Sequence, residues 1–370
     1  MTRALPTLRK AIALMLFGVL PVCAVGLTFA NARGSGIVTD FENAFYPAAE
    51  AVLDGSSPYP DAADPRLADG TEYVYPPLTA LATTPFTAIP IGMAGFVVMA
   101  FLVIAVLATL WILGIRDWRC YGLAFLWPPV IASIQTGNVT IPLVLGAACI
   151  WRWRDRRWVA GGALGMTLAI KLFLWPLALW LGFTKRLPAA AIAVAVGTVA
   201  LLTSWAVIGF AGIGQYPDLL RRIQELEEGD SYTIYALALD LGFADGVARA
   251  LWAGAAVSLV AAVAVIGYYG DERRAFVIAV AAALACSPIV WLHYFALLLV
   301  VVGVVERRMG PAWFAPLVMY GSSGTLNGTT LQTALTLAAA ALTVTLAMRP
   351  AWPTRPAVYS TDSPVGGRPW

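Results

Sequence analysis

The chain has 370 residues, of which 60% are hydrophobic and only 12% are charged, and its mean hydropathy is +0.76. A water-soluble domain of this size carries roughly twice that charged fraction, so the composition excludes an ordinary soluble protein and predicts an integral membrane protein. The formal net charge of +3 says less than the sidedness of the charges, and we expect no nucleic-acid partner. The sequence contains no P-loop, no GxGxxG after a strand and no GxSxG, which excludes nucleotide-driven transport and serine hydrolysis of the usual kinds.

The first apolar run, 11–30, follows a basic N-terminus and ends in Phe29-Ala30-Asn31-Ala32, which resembles a signal-peptide cleavage site. The run is longer than the usual apolar core of about 7 to 15 residues, so we interpret it as a membrane span, with a signal peptide as the alternative. Either interpretation puts the next loop outside the cytoplasm. Eleven further apolar segments bring the predicted total to about twelve spans: 93–115, 120–134, 139–151, 159–171, 172–183, 189–208, 247–269, 275–288, 290–305, 312–325 and 329–347.

The charges divide between two sides of the predicted membrane. The outer loops, 31–92 and 209–246, hold 15 of the 21 acidic residues, whereas 18 of the 24 basic residues fall on the cytoplasmic segments. This is the distribution that the positive-inside rule predicts, and it puts both termini in the cytoplasm. We therefore expect a multi-pass protein of the plasma or inner membrane, with one domain over 1–349 and a disordered, proline-rich cytoplasmic tail over 350–370.

Residues 159–183 are long enough for one helix but carry basic clusters at both ends. Because arginine and lysine prefer the cytoplasmic face, two half-helices that turn near Lys171 to Pro176 fit this segment better than a single crossing.

The cysteines and the lone histidine argue against a metal site. Cys23, Cys120, Cys149 and Cys286 lie in apolar segments without CxxC spacing, so we interpret them as small core residues. One histidine and scattered carboxylates do not match the usual ligand sets for zinc or calcium. We expect no metal and no other cofactor.

The first outer loop contains a group of acids next to a short predicted helix. Pro47 suits the first turn of this helix and Gly55 its end, and the pairs Ala48/Val52 and Ala49/Leu53 share one face, which predicts about two amphipathic turns along the membrane surface. Asp40 precedes the helix, just past the first span. A carboxylate at this depth can take a proton from a polar substrate, or it can simply be a solvated acid or a helix cap.

The later part of this loop is aromatic. Tyr73 and Tyr75 precede Pro76-Pro77, and these amphipathic rings suit either a sugar or an anchor in the headgroup region.

Three charged or titratable residues near the later spans are candidates for an anion site. Lys171 is a single charge in an apolar stretch, which is costly unless it has a partner, faces a cavity or reaches the interface. A cation there could bind a phosphate. His293, the only histidine, lies where two spans meet at the outer face, and Arg249 opens the span after the second outer loop. Each of these two residues could contact the phosphate. The alternative for His293 is a hydrogen-bonded core residue, and the alternative for Arg249 is an interfacial anchor.

Several short motifs, taken in order from about residue 39 to 300, resemble the polyprenyl-phosphate-dependent mannosyltransferases of glycosyltransferase family 87. The motifs are Asp40-Phe41 with Tyr46 and Gly55-Ser56-Ser57-Pro58-Tyr59, Tyr75-Pro76-Pro77, Gly137-Asn138, Ala160-Gly161-Gly162 with Lys171 and Pro176, Gly229-Asp230-Ser231, and Ser287-Pro288 with Trp291 and His293. Three residues depart from that pattern: Asn138, where the family has glutamine, Leu292 and Tyr294.

The resemblance implies an all-α, polytopic membrane protein with a GT-C-type fold, about 12 transmembrane segments and interfacial helices on the outer face. It implies transfer of a sugar, mannose first among the candidates, from a polyprenyl-phosphate donor to a hydroxyl of a glycolipid or glycan acceptor outside the cytoplasm, with inversion. Asp40 would be the general base, and Lys171, His293 and Arg249 would bind the donor phosphate. The remaining pocket residues implied are Glu42, Tyr46, Tyr59, Tyr73, Tyr75, Asn138 and Trp291.

Two other functions remain open on the sequence. A broken helix with a central lysine also suits a secondary transporter with a substrate site at the bilayer midplane. The outer loops could instead dock a partner in a non-catalytic, lipid-binding assembly subunit.

Overall fold

The computed structural model describes residues 4–31, 38–70, 72–322 and 328–349, and in these ranges the chain is helical, with no β-strand. The α-helices in chain order are α1 Ala4–Leu14, α2 Leu20–Asn31, α3 Tyr46–Leu53, α4 Pro77–Thr83, α5 Ile91–Ile112, α6 Trp118–Ala124, α7 Pro128–Thr136, α8 Thr140–Arg152, α9 Arg157–Ile170, α10 Pro176–Phe183, α11 Leu187–Val207, α12 Tyr216–Glu227, α13 Ile234–Asp240, α14 Asp245–Tyr268, α15 Glu272–Cys286, α16 Leu298–Val305 and α17 Thr330–Ala347. The predicted all-α membrane fold is confirmed. The predicted tail, 350–370, lies outside the described residues.

Within the described residues, five helices are long and apolar enough to cross a membrane on their own: Leu8–Asn31, Ile91–Ile112, Leu187–Val207, Asp245–Tyr268 and Thr330–Ala347. The first joins α1 and α2 through a π-helical turn at Met15–Val19. All five coincide with predicted spans to within a few residues, apart from the earlier start of the first.

The other predicted spans occur as shorter or broken helices. Segment 120–134 is interrupted between α6 and α7, because Pro128 and Pro129 begin a new helix after Trp127. Segment 312–325 consists, as far as it is described, of 3₁₀ turns, Pro311–Trp313 and Ala315–Ser322, instead of an α-helix. Broken helices of this kind are tolerated in a bilayer where protein surrounds them.

The predicted break near Lys171 is present. Helix α9 ends at Ile170, Lys171 is extended with φ −158° and ψ 123°, and a 3₁₀ turn, Leu172–Leu174, leads into α10 at Pro176. A proline lacks the N–H that a helix interior needs, but it is accepted in the first turn. The break therefore puts Lys171 at a helix end within the bundle.

Helix α9 lies against α11 at very close backbone distance. A Cβ added to Gly161 would be 2.6 Å from the carbonyl oxygen of Ala189, and one added to Gly165 would be 2.7 Å from that of Ala193. Small residues at such positions allow two membrane helices to approach and pack through van der Waals contact. The two glycines thus fix the separation of α9 from α11.

The short helix of the first outer loop forms as predicted, and part of its apolar face packs against the protein. Helix α3 follows a π-helical turn, Phe41–Phe45, and Gly55 has φ +74° just past its end. Ala48 and Ala49 are buried, whereas Leu53 is 61% exposed. An exposed leucine on this helix is compatible with the predicted position along the membrane surface, where an apolar side chain can face lipid.

The prediction that all four cysteines are core residues is wrong for one of them. Cys120 is buried and Cys149 and Cys286 are half-buried, but Cys23 is exposed. It lies on the first long helix, of which only 11% is buried in the protein. An apolar residue of a membrane helix can face lipid as readily as the core, so an apolar segment does not by itself predict burial.

Candidate functional site

The site begins where the turn after α7 touches the segment just before α3. Gly137 ends α7 with φ +67°, a left-handed conformation that favours glycine. A Cβ at this position would overlap Val38 and would lie 2.8 Å from the Cβ of Phe41. The absence of a side chain lets the backbone of 137–138 reach residues 38–41 and brings Asn138 next to Asp40.

The Asn138 side chain links Asp40 to Tyr75. Its amide nitrogen donates hydrogen bonds to the Asp40 carboxylate and, at 3.2 Å, to the Tyr75 hydroxyl. Its amide oxygen accepts bonds from the backbone N–H and the hydroxyl of Thr140, at 2.9 and 2.7 Å. Since both donors of Thr140 face the oxygen, the nitrogen must point to Asp40. Asn138 thus holds the carboxylate in one orientation.

Burial sets the protonation behaviour of these groups. It raises the pKa of Asp40 above its ordinary value, while the hydrogen bond from Asn138 and the charge of Lys171 act in the opposite direction. Burial also raises the pKa of Tyr75, so that its hydroxyl stays protonated. Asp40 is therefore a stronger base than an exposed aspartate, held beside neutral hydrogen-bond donors.

Lys171 lies over the ring of Tyr75. Its ammonium donates a hydrogen bond to the Tyr294 hydroxyl and lies 4.0 Å from the Tyr294 ring centre and 5.0 Å from that of Tyr75. Among the ion pairs of the described residues, none involves Lys171. A cation held by aromatic rings and a hydroxyl keeps its charge available to an anion. Asp40, Asn138, Tyr75, Lys171 and Tyr294 thus form one connected cluster, the polar cluster.

His293 adjoins the polar cluster. Its ring centre is 4.6 Å from that of Tyr294, and its backbone carbonyl accepts a 3.2 Å bond from the Ser133 hydroxyl of α7. The ring nitrogen Nε2 is buried and has no hydrogen-bond partner among the described residues. A buried polar atom without a partner is unusual in a folded protein, and substrate contact is one explanation.

Four of the other predicted pocket residues have supporting contacts. Tyr59 donates to the carbonyl of Tyr75 at 3.0 Å, Tyr73 to that of Pro76 at 2.5 Å, and Tyr46 to that of Ile89 at 3.0 Å. Glu42 is half-buried beside Gly95. These side chains hold the loop that carries Asp40 and Tyr75.

Two predicted site residues remain, Trp291 and Arg249, and they lie in different surroundings. Trp291 is half-buried two residues before His293. Arg249 pairs with Glu228 at 2.7 Å and Asp245 at 3.1 Å, and it lies over the Tyr235 ring at 4.7 Å. These contacts fit the interfacial-anchor interpretation of Arg249, and they are separate from the polar cluster.

The sequence interpretation missed Tyr294 and helix α12. Tyr294 was noted only as a departure from the family pattern, and its contact with Lys171 spans 123 positions of the chain, so local spacing gives no signal for it. Helix α12 has few apolar residues, but its buried Leu219 and the 3.0 Å bond from Tyr216 to the carbonyl of Val74 attach it to the first outer loop.

An apolar groove of about 490 Å³ lies between α4, α9 and α11. Leu78 and Leu81 form one wall, Met166 another, and residues of 195–207 the third. Leu78 is three residues after Tyr75, and Met166 is five residues before Lys171. The groove therefore adjoins the elements that carry the cation.

In the described ranges, no three histidine, cysteine or acidic side chains come together in a way that could hold a metal ion. The polar cluster has one carboxylate and no thiolate, a set that fits no usual metal site.

The comparisons with known proteins give one match. The family model for glycosyltransferase family 87 matches residues 73–292, which is more than half of the chain. This range contains Tyr75, Asn138 and Lys171, and it excludes Asp40 and His293. No curated protein and no solved structure matches the chain.

Proposed function

The chain belongs to glycosyltransferase family 87 and is a membrane glycosyltransferase, and from this premise we propose that it transfers a sugar from a polyprenyl-phosphate donor, with Asp40 as the general base. The sugar is a hexose, with mannose as the first candidate from the resemblance. The acceptor is a hydroxyl of a glycolipid or glycan on the extracytoplasmic side of the cell membrane, and both termini are cytoplasmic. No metal or other cofactor takes part.

The observation that carries this proposal is the arrangement of Asp40, Asn138 and Lys171. A base that deprotonates an acceptor hydroxyl must be oriented and must have a pKa above that of an ordinary carboxylate. The bond from Asn138 orients Asp40, and burial raises the pKa of Asp40. Lys171 is near enough to interact with the Asp40 charge but forms no ion pair with it.

The reaction needs a base and a cation at the same site. As the acceptor oxygen forms a bond to the anomeric carbon of the sugar, the bond from that carbon to the phosphate oxygen breaks and the acceptor proton passes to Asp40. Negative charge then grows on the departing phosphate. Lys171, with the Tyr294 hydroxyl beside it, is the group available to stabilise that charge, and His293 Nε2 can add a hydrogen bond.

The apolar groove suits the lipid part of the donor. Its walls are almost wholly apolar, and they include Leu78, three residues after Tyr75, and Met166 of α9. A polyprenyl chain in this groove would bring its phosphate towards Lys171, while the acceptor would approach from the water side of the first outer loop. This arrangement also supports the lipid donor over a water-soluble sugar nucleotide.

The proposal is tested by Asp40→Asn in purified protein supplied with radiolabelled polyprenyl-phosphate sugars and with a membrane extract as the source of glycolipid and glycan acceptors. We expect transfer to fall by about 10²–10⁴-fold, the usual contribution of a general base, while donor binding is retained. Asp54→Asn is the matched control, because Asp54 is an exposed acid of the same loop.

Two results would contradict the proposal. Full transfer by Asp40→Asn would exclude the base, and the absence of transfer from every polyprenyl-phosphate sugar by the unaltered protein would exclude this donor. Uptake of a substrate without group transfer would favour the transporter.

A further inference from the structure

A second cavity, of about 450 Å³, lies at the opposite end of α5 from the polar cluster. The two ends are well separated, because Gly95, which lies next to Glu42 and Val38, and Trp111 are 16 residues apart on one helix, or about 24 Å. The positive-inside pattern assigns this end to the cytoplasm. The cavity is formed by the ends of α5 and α8 and the start of α6.

Two arginines of this cavity have no acidic partner in the part of the chain that the structure describes. Arg116 and Arg152 are exposed and take part in none of the ion pairs among the described residues. Nearby arginines are paired, Arg119 with Asp117 at 2.8 Å and Arg154 with Glu272 at 3.0 Å. The cavity therefore presents two guanidinium groups, which suit the oxygens of a phosphate.

Aromatic rings surround the two arginines. Trp111, Trp118, Trp153 and Tyr121 line the cavity, and Trp111 and Trp118 are 73% and 49% exposed. Tryptophan and tyrosine are enriched at the level of lipid headgroups, where a ring meets both apolar chains and water. Their presence sets the cavity at the headgroup level.

An exposed apolar stripe on α5 leads to the cavity. Val97, Phe101, Ile104, Leu107 and Trp111 are each at least 40% exposed, and their spacing of three and four residues puts them on one helix face. This stripe is long enough to accompany an acyl chain through one leaflet. A soluble phosphate compound has no apolar chain that could contact this stripe.

From these observations we propose that the cavity of Arg116 and Arg152 binds the phosphodiester headgroup of an anionic phospholipid whose acyl chain lies along α5. The site is distinct from the donor site, and the proposal does not depend on the sugar transferred. It predicts selectivity for an anionic over a zwitterionic lipid of the same chain length, because neither arginine forms an ion pair with a described carboxylate.

The test is native mass spectrometry of the purified full chain with added phosphatidylglycerol or phosphatidylcholine. We expect the unaltered protein to bind phosphatidylglycerol more tightly, and Arg116→Gln/Arg152→Gln to weaken that binding by at least about tenfold, a loss of about 1.4 kcal/mol. The control is Arg156→Gln/Arg157→Gln, which removes the same charge from the next turn of the chain, outside the cavity, and should keep the affinity. Thermal unfolding of each variant verifies that it is folded.

Three results would overturn the proposal. They are equal binding of the two lipids by the unaltered protein, equal affinity of the two double variants for phosphatidylglycerol, and displacement of phosphatidylglycerol by millimolar inorganic phosphate. The last result would assign the arginines to a soluble phosphate instead of a lipid.

Discussion

Gly137→Ala tests whether the close contact between 137–138 and 38–41 sets the position of Asp40. The new Cβ would be 2.8 Å from the Cβ of Phe41, whereas ordinary contacts of this kind begin at 3.4 Å, so Phe41 has to move by about 0.6 Å. Asp40 precedes Phe41 and moves with it. A misplacement of about 1 Å at a reacting group can cost about 10²-fold, so we expect kcat to fall by about 10- to 100-fold.

The left-handed backbone adds a separate cost, which the control must share. Alanine at φ +67° costs about 1–2 kcal/mol of folding free energy. Gly209 has φ +62°, and an added Cβ would meet nothing within 4 Å. Gly209→Ala should therefore lose about the same stability as the backbone part of Gly137→Ala but keep its kcat.

The measurements are kcat for sugar transfer at saturating donor and the thermal unfolding of each variant. If Gly137→Ala and Gly209→Ala have the same kcat, the close approach does not position the carboxylate, and this explanation of the site is wrong.

Three further predictions follow from the structure. Tyr294→Phe removes the hydroxyl that accepts the bond from Lys171 but keeps the ring, so we expect kcat to fall about tenfold while the exposed control Tyr268→Phe is unaffected, as measured by sugar transfer. Because burial raises the pKa of Asp40, its carboxylate form is lost as the pH falls through a value above 3.8. The pH profile of kcat/KM should therefore have an acid limb with an apparent pKa above 3.8. An acid limb at or below 3.8 would contradict this account. Arg186→Gln removes ion pairs to Asp155 and Glu272, so thermal unfolding should show a loss of about 1–2 kcal/mol with kcat unchanged, and a large fall in kcat would show that these pairs affect the site.

The sequence predicted the long helices because each depends on a local property, about 20 apolar residues in succession. It also predicted the break after α9, since a lysine and a proline within an apolar stretch are local signals. The start of a new helix at Pro128 was missed, because an apolar run gives no sign of whether its backbone is continuous when proteins can tolerate breaks inside a bundle.

The site was predictable in part, for a physical reason. Asp40 and Lys171 are unusual on local grounds, one by its depth and the other by its isolated charge. Their connection through Asn138, Tyr75 and Tyr294 depends on contacts between distant parts of the chain, which residue spacing does not record. The exposure of Cys23 was missed for a related reason, because lipid and protein interior are equally apolar surroundings.

The glycine contact between α9 and α11 has a consequence for how tolerant the enzyme is of sequence change. Gly165 is six residues before Lys171 on a helix that ends there, so a methyl group at Gly165 would tilt the final turns of α9 and carry the ammonium away from the aromatic rings. A mutation buried between two helices could in this way lower the activity while leaving each side chain of the polar cluster unchanged. Glycines at such a contact set the distance between two helices, and even one added methyl group would change that distance.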